Sequence, residues 1–357
     1  MRDALVNSAV LLVSVVVGLI GCEIGVRLLS GSDRGWEFHN YVADQGQWVG
    51  RWRTMRPDPL LGYIPRDGYS GSDNGYHVHI TYGADGFRLH RQGKPPSTME
   101  PPILVVGDSF AMGAEVGDDE SWAAYMEEAL DRRVLTGGVP GYGIDQVVLR
   151  AESLIGKYRP DTLIVGLIAD DVERARMRIL WGMPKPYFEI EDGKLVLRNV
   201  PLSAPDPNPR VDLLRRVLGY SYLMDVAVRR LGHEAWWWRG QPGHIEPAHD
   251  YGDKVACLLM DRLAALRDQH KTRVVLVAQY SIQAWEAEHL RRHEVAVVRA
   301  VADCARVRGI DTIDTYAAVA EAVRAHGIAG SYTGIHMNPA GNRLTARLIL
   351  DWLEAQK

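Results

Sequence analysis

The chain has 357 residues of ordinary apolar content and a formal net charge of −4. That length suffices for one large or two medium domains, and that charge gives no pull toward nucleic acid. Three cysteines, Cys22, Cys257 and Cys304, are too few for a disulfide framework. Cys257 and Cys304 could pair, but both sit in apolar helical patterns and are expected as small core residues.

In chain order, Ala4 to Leu29 reads ALVNSAVLLVSVVVGLIGCEIGVRLL, long enough to cross a bilayer, which takes ~20 residues. Glu23 and Arg27, four apart near its end, share one helix face and can pair there. Residues 1–30 are therefore expected as an uncleaved anchor. A cleaved signal peptide is one rival. A lipoprotein is another, because Leu19-Ile20-Gly21-Cys22 resembles a processing box with Cys22 as the acylated residue. Flanking charge does not set the orientation, since Asp3 offsets Arg2 while Arg27 and Arg34 follow the segment.

Residues 31–100 are rich in Gly, Pro, Tyr and Trp, with short alternating runs such as Tyr76 to Ile80, and read as a small β-rich neck. From Pro101 onward, apolar runs alternate with helical periods. The runs are Ile103–Val106, Arg133–Leu135, Thr162–Ile168, Arg273–Ala278 and Ile310–Ile313. The helical stretches are Trp122–Leu130, Ile144–Tyr158, Gly252–His270, Leu290–Arg308 and Pro339–Ala355. This βαβ alternation predicts an α/β domain over 101–357 with a parallel sheet covered on both faces.

An insertion at about 172–250 interrupts the alternation and is expected to serve as a lid or partner surface. It carries a hairpin signal at Glu191-Asp192-Gly193-Lys194. An amphipathic helix is predicted over 211–231, with Leu214, Val217, Leu218 and Met224 on one side. Arg215, Arg216, Arg229 and Arg230 are expected as its solvated face, with anionic lipid headgroups as an alternative partner. Trp236-Trp237-Trp238 is expected to plug the insertion onto the core.

The stretch ILVVGDSFAMG, Ile103 to Gly113, runs a buried strand into Gly-Asp-Ser. Such residues form turns, but the carboxyl edge of a parallel sheet is also where α/β proteins place their sites. A serine nucleophile needs a base, something to orient the base, and donors for the oxyanion. Candidates follow several strands: Ser109, then GVPGYG at Gly138–Gly143, then Asp170-Asp171, and His336 in YTGIHMNPAGN.

Gly107-Asp108-Ser109-Phe110, GVPGYG, a strand ending in two polar residues, and a late His followed by Asn-Pro-Ala-Gly together resemble the SGNH/GDSL hydrolases, with the blocks in order from Pro101 to the C-terminus. The N-terminal apolar segment and the DPLLGYIPRDG and GADGFR stretches look like a membrane-anchored bacterial branch of that family. The resemblance implies a three-layer α/β/α, flavodoxin-like domain. It implies Ser109 as nucleophile, His336 as base, the N–H groups of Ser109 and Gly141 as oxyanion donors, and no metal or organic cofactor. The implied substrate is an acyl ester or O-acetylated carbohydrate, handled by an esterase or O-acyltransferase. The implied location is a single-pass attachment to the bacterial inner membrane with the domain in the periplasm, with a membrane-protein partner possible.

Two positions depart from the family pattern. Asp170 stands where the third oxyanion donor is an Asn, and Thr333 where an Asp orients the base. An ionised carboxylate about 3 Å from an oxyanion repels it by roughly 5 kcal/mol at an effective dielectric near 20. A normal donor contributes only about 3–4 kcal/mol. Asp170 thus fits the hole only as a protonated donor. Orientation of His336 is left to Thr333, to Asp314, or to a backbone carbonyl, giving a Ser-His dyad. These departures also admit a second class of reading, a catalytically degenerate relative kept as a binding or assembly subunit of a membrane complex. His77 and His79, and His233, His244 and His249, are expected as packing or loop histidines rather than metal ligands.

Overall fold

The computed structural model describes residues 2–29, 40–42, 53–72, 78–90, 96–203, 211–241 and 243–356. Five strands form its central sheet: β1 (Ile103–Val106), β2 (Val134–Thr136), β3 (Thr162–Leu167), β4 (Arg273–Ala278) and β5 (Asp311–Asp314). All pair in parallel, in the order β2-β1-β3-β4-β5. This is the flavodoxin-like doubly wound order, whose switch point between β1 and β3 opens a crevice at the carboxyl ends of the strands.

Alternation along the strands explains the two covered faces. Ile103, Val105, Ile164, Val275 and Val277 share one core cluster with Trp122 and Met126 of α3 (Trp122–Leu130) and Ile349 and Leu353 of α12 (Pro339–Ala355). Leu104, Val106, Leu163, Val165 and Leu276, also buried, alternate with them. On that second face lie α4 (Ile144–Tyr158), α9 (Gly252–His270) and α10 (Glu288–Val307), packed against one another and the sheet. The three-layer α/β architecture expected from the sequence is therefore present.

Cys257 and Cys304 join α9 to α10 in a disulfide, with Cα atoms 5.4 Å apart. This corrects the expectation of two reduced core residues: the two helices pack against each other, which brings their thiols together. Closing a loop of 47 residues contributes about 4 kcal/mol in the chain-entropy model.

The chain packs as two compact units. One comprises residues 50–178, 184–205 and 247–357 and contains the sheet; the other comprises residues 1–49, 179–183 and 206–246. The later part of the neck thus belongs with the sheet, and residues 206–246 of the insertion belong with the N-terminal helix. Neck hairpins run Met55–Asp58 to Gly62–Pro65 and Ser70–Ser72 to His79–Thr81. Residues 73–77, including His77 and most of the run beginning at Tyr76, lie outside the described residues. The Asp192-Gly193 signal makes its hairpin between Tyr187–Glu191 and Lys194–Arg198.

In the second unit, α1 (Arg2–Leu29) is followed by α6 (Leu213–Leu218), α7 (Tyr222–Arg230) and the short α8 (Glu234–Trp237). The single helix expected over 211–231 is broken at Gly219–Ser221, where Ser221 caps α7 by accepting the Met224 N–H. Its expected faces are also corrected. Leu214 and Val217 are exposed, whereas Arg215 is buried because its guanidinium donates to the carbonyls of Trp236, Trp237 and Arg239. Trp237 is buried beside Val42 and Val228, with its indole N–H on Asp225. The tryptophan run packs inside its own unit, with Val42, Val228, Leu218 and Met224.

Arg88, His90 and β2 tie the GADGFRLH stretch to the sheet unit. The His90 ring bonds the Asp118 carbonyl through Nδ1 at 3.0 Å and the Thr136 hydroxyl through Nε2 at 2.8 Å. Burial pulls its pKa from 6.5 down to about 4. The folded state therefore resists a proton that the unfolded chain accepts. The His90 contribution is complete above pH 6.5 and is lost as pH falls toward 4, at a cost of about 3 kcal/mol. Urea-unfolding free energies are expected to show that loss, and His90→Gln to flatten this part of the profile.

Candidate active site

Ser109 follows β1 and opens a short helix, α2 (Ser109–Met112), capped by Asp108, whose side chain accepts the Phe110 N–H at 2.8 Å. The turn lifts Ser109 to the carboxyl edge of the sheet, beside the switch point. His336 comes from the other end of the chain, on a two-residue strand paired with Tyr332–Thr333. Asn338 fixes its position by capping α12 through the N–H groups of Ala340 and Gly341. Asn342, accepting the Trp122 N–H and donating to Met337, ties that helix to α3. The late Asn-Pro-Ala-Gly-Asn block is thus a helix start that holds the histidine.

The structure brings Ser109 and His336 together: Oγ and Nε2 lie 2.8 Å apart, both residues buried. At the opposite ring nitrogen, Nδ1 is 3.0 Å from Glu115 Oε1. A carboxylate is acceptor-only, so Nδ1 carries the proton and Nε2 presents a lone pair to the serine hydroxyl. The competing acceptor, Asp108 Oδ2, is farther from Oγ, at 3.3 Å.

Glu115 stands in none of the sequence motifs. It lies six positions after Ser109, in GAEV, and reaches His336 across 221 residues. Its φ of +65° places it in the left-handed region, uncommon for glutamate. The loop is held there by Arg88, which is buried and donates to the carbonyls of Met112, Gly113 and Val116 and to Asp118. The carboxylate also accepts the N–H groups of Ile335 and His336 at 3.3 and 3.4 Å. Gly334 makes room for it. Its φ is +57°, and a Cβ there would sit 2.5 Å from Glu115 Oε2.

Glu115 thus occupies the place on His336 Nδ1 that the sequence reading offered to Thr333 or Asp314, and both expectations are corrected. Thr333 pairs with His336 through the backbone of its strand. Asp314 is engaged elsewhere, by the Tyr280 hydroxyl, the Tyr316 N–H and Arg299.

Asp170 is also corrected as an oxyanion donor. Its side chain is 59% exposed and paired with Arg174 at 3.1 Å. Arg174 bridges three carboxylates, reaching Asp108 at 3.2 Å and Asp171 at 3.0 Å, and donates to the Tyr142 carbonyl. Burial opposes the Arg174 charge, but Asp171, Asp108 and Asp170 outweigh it and hold its pKa above the usual value. Burial, with Asp108 beside it, pushes the Asp171 carboxyl well above the usual carboxylate range. A guanidinium bound to Asp170 neutralises the charge that made this position hostile to an oxyanion.

The GVPGYG loop runs beside the Gly107–Ser109 turn, with the Val139 N–H bonded to the Gly107 carbonyl. Gly141 has φ +78°, a conformation that suits glycine. From the neck, the Tyr63 hydroxyl donates to the Pro140 carbonyl at 2.6 Å. In a trans peptide that carbonyl and the Gly141 N–H point in opposite directions, so Tyr63 fixes the direction of the Gly141 donor. Among the described residues, no group of three His, Cys, Asp or Glu is placed to hold a metal ion.

No family model and no curated relative matches the chain. Solved structures do, with low identity. A lipolytic protein of the G-D-S-L family from Veillonella parvula is 13% identical, at a TM-score of 0.40, over 70% of this chain and 96% of its own. LAE5, an α/β hydrolase from the Lake Arreo metagenome, is 13% identical, at 0.44, over 72% and 97%. Axe2, an acetylxylan esterase from Geobacillus stearothermophilus, is 17% identical, at 0.41, over 72% and 95%. These are likenesses in outline only. What the crevice itself shows is the hydrogen-bonded line from Ser109 through His336 to Glu115.

Proposed function

We propose that this chain is a membrane-anchored serine esterase or O-acyltransferase of SGNH/GDSL type that acts on acyl esters of envelope carbohydrate. The observation that carries the reading is the continuous hydrogen-bond relay from Ser109 Oγ through His336 to Glu115. It supports a triad in place of the Ser-His dyad expected with Thr333.

In this mechanism, Ser109 Oγ attacks the acyl carbonyl as its proton passes to His336 Nε2. Glu115 stabilises the imidazolium and holds its tautomer. The N–H groups of Ser109 and Gly141 take the oxyanion. Collapse expels the alcohol, which receives the proton from His336 and leaves an acyl-serine. Water or a sugar hydroxyl then attacks that ester with His336 again as base, distinguishing hydrolysis from transfer only by the acceptor. Support for a site outside the cytoplasm comes from the Cys257–Cys304 disulfide and from α1, whose Val6–Leu29 stretch is long and apolar enough to span a membrane.

The degenerate-subunit reading keeps one observation in its favour, the absence of an Asn amide at position 170. A single experiment separates the two. The wild-type protein is expected to be labelled by a fluorophosphonate and to hydrolyse p-nitrophenyl acetate, both abolished in Ser109→Ala. An unlabelled, inert wild-type protein of native fold would leave only the binding role.

A further inference from the structure

The uncharged residues Ala4 to Cys22 make a helix about 28 Å long at ~1.5 Å per residue, close to the ~30 Å hydrocarbon thickness of a bilayer. The first charge after them, Glu23, falls at the rim of that layer. Glu23 pairs with Arg27 at 2.7 Å, and its carboxylate also accepts the Ser221 hydroxyl at 2.7 Å and the N–H groups of Tyr222 and Leu223 at 2.9 Å. The amino end of α7 is therefore fastened to α1 at the level where the helix leaves the apolar layer.

Three residues, Gly219 to Ser221, separate α6 from α7, so the carboxyl end of α6 is held near that level. With Arg215 turned inward, α6 presents Leu213, Leu214 and Val217 outward, 77%, 58% and 61% exposed. Leu231, at the end of α7, is also exposed, and so are Arg216 and Arg230. Leu213, Leu214 and Val217 on one face of α6, with Arg216 beside them, form the pattern of an element lying in the headgroup boundary, its apolar side sunk ~5–10 Å. Long arginine stems can then raise their guanidinium groups to the phosphates.

We propose that α6 and the start of α7 are a second, interfacial membrane contact. In it, Leu213, Leu214 and Val217 enter the phospholipid leaflet from which the carboxyl end of α1 emerges. This rests on the reading of α1 as a membrane span. The contact gives the anchored unit a fixed tilt, where a helix alone would act as a swivel.

The test uses the full chain with Cys22→Ser, its disulfide kept oxidised, in vesicles of phosphatidylethanolamine and phosphatidylglycerol. An environment-sensitive fluorophore is attached in turn at Leu214→Cys, at Val10→Cys within α1, and at Val307→Cys, an 85% exposed position at the end of α10. The proposal expects the probe at 214 to be blue-shifted relative to 307, quenched by acyl-chain-brominated lipid and shielded from iodide. Iodide quenching at 214 equal to that at 307, with the probe at 10 quenched by lipid, would overturn the contact while leaving the anchor standing. Loss of lipid quenching at 10 would overturn the anchor, and the contact with it. Shielding of 214 from both quenchers would overturn the lipid contact in favour of a protein partner or a second copy.

Discussion

Glu115→Gln is expected to lower kcat by about 10⁴-fold, equivalent to about 5 kcal/mol of transition-state stabilisation. Glutamine keeps the shape of the side chain but loses its charge and gains an N–H₂ donor. That donor favours the tautomer with the proton on His336 Nε2, which turns an N–H toward Ser109 in place of a lone pair. The same loss is expected in the rate of fluorophosphonate labelling, because both reactions begin with deprotonation of Ser109. Thr333→Val is the control. It removes the hydroxyl at the position where the family pattern has its carboxylate, and kcat is expected to stay near the parent value. The reverse outcome, an inert Thr333→Val and an active Glu115→Gln, would reassign the orienting residue.

Tyr63→Phe is expected to lower kcat by up to about 10²-fold with KM little changed. This approaches the lower end of the 10²–10³ lost when an oxyanion donor is removed. Phenylalanine preserves the ring but leaves the Pro140 carbonyl without its partner. The Pro140–Gly141 peptide can then rotate, because Gly141 has no Cβ to oppose it. The stability cost of the lost bond is about 1 kcal/mol, so a denaturation midpoint close to that of the parent distinguishes misdirection of the donor from unfolding. Weaker inhibition by a boronic acid that forms a tetrahedral adduct would place the defect in the transition state. An unchanged kcat would remove Tyr63 from the machinery.

The sheet was legible because buried strands and amphipathic helices announce themselves by period. Strand Ile103–Val106 and helices Trp122–Leu130, Ile144–Tyr158 and Pro339–Ala355 end where the pattern says they should. The meeting of Ser109 and His336 was legible for a different reason: each sits in a local motif whose turn or cap chemistry is written in its neighbours. Glu115 had no such signature. Its role depends on contact between loops 221 residues apart and on an arginine from a third segment, and no local spacing encodes that. Asp170 misled for a related reason. Its consequence turned on Arg174, four residues later, which a charge count notes but does not aim. The break at Gly219–Ser221 was hidden because the apolar period continues through it, while the cap that makes the break is completed by Glu23, nearly two hundred residues earlier.

Tyr63 and Arg88 both precede the first strand of the sheet, yet one steers a peptide of the GVPGYG loop and the other grips the loop that carries Glu115. A shortened chain starting at Pro101 would retain every strand of the central sheet and all three members of the relay, and would look complete by sequence block. It would nonetheless lose the outside hands that set two of its loops, and would be expected to fold as a sheet while turning over poorly.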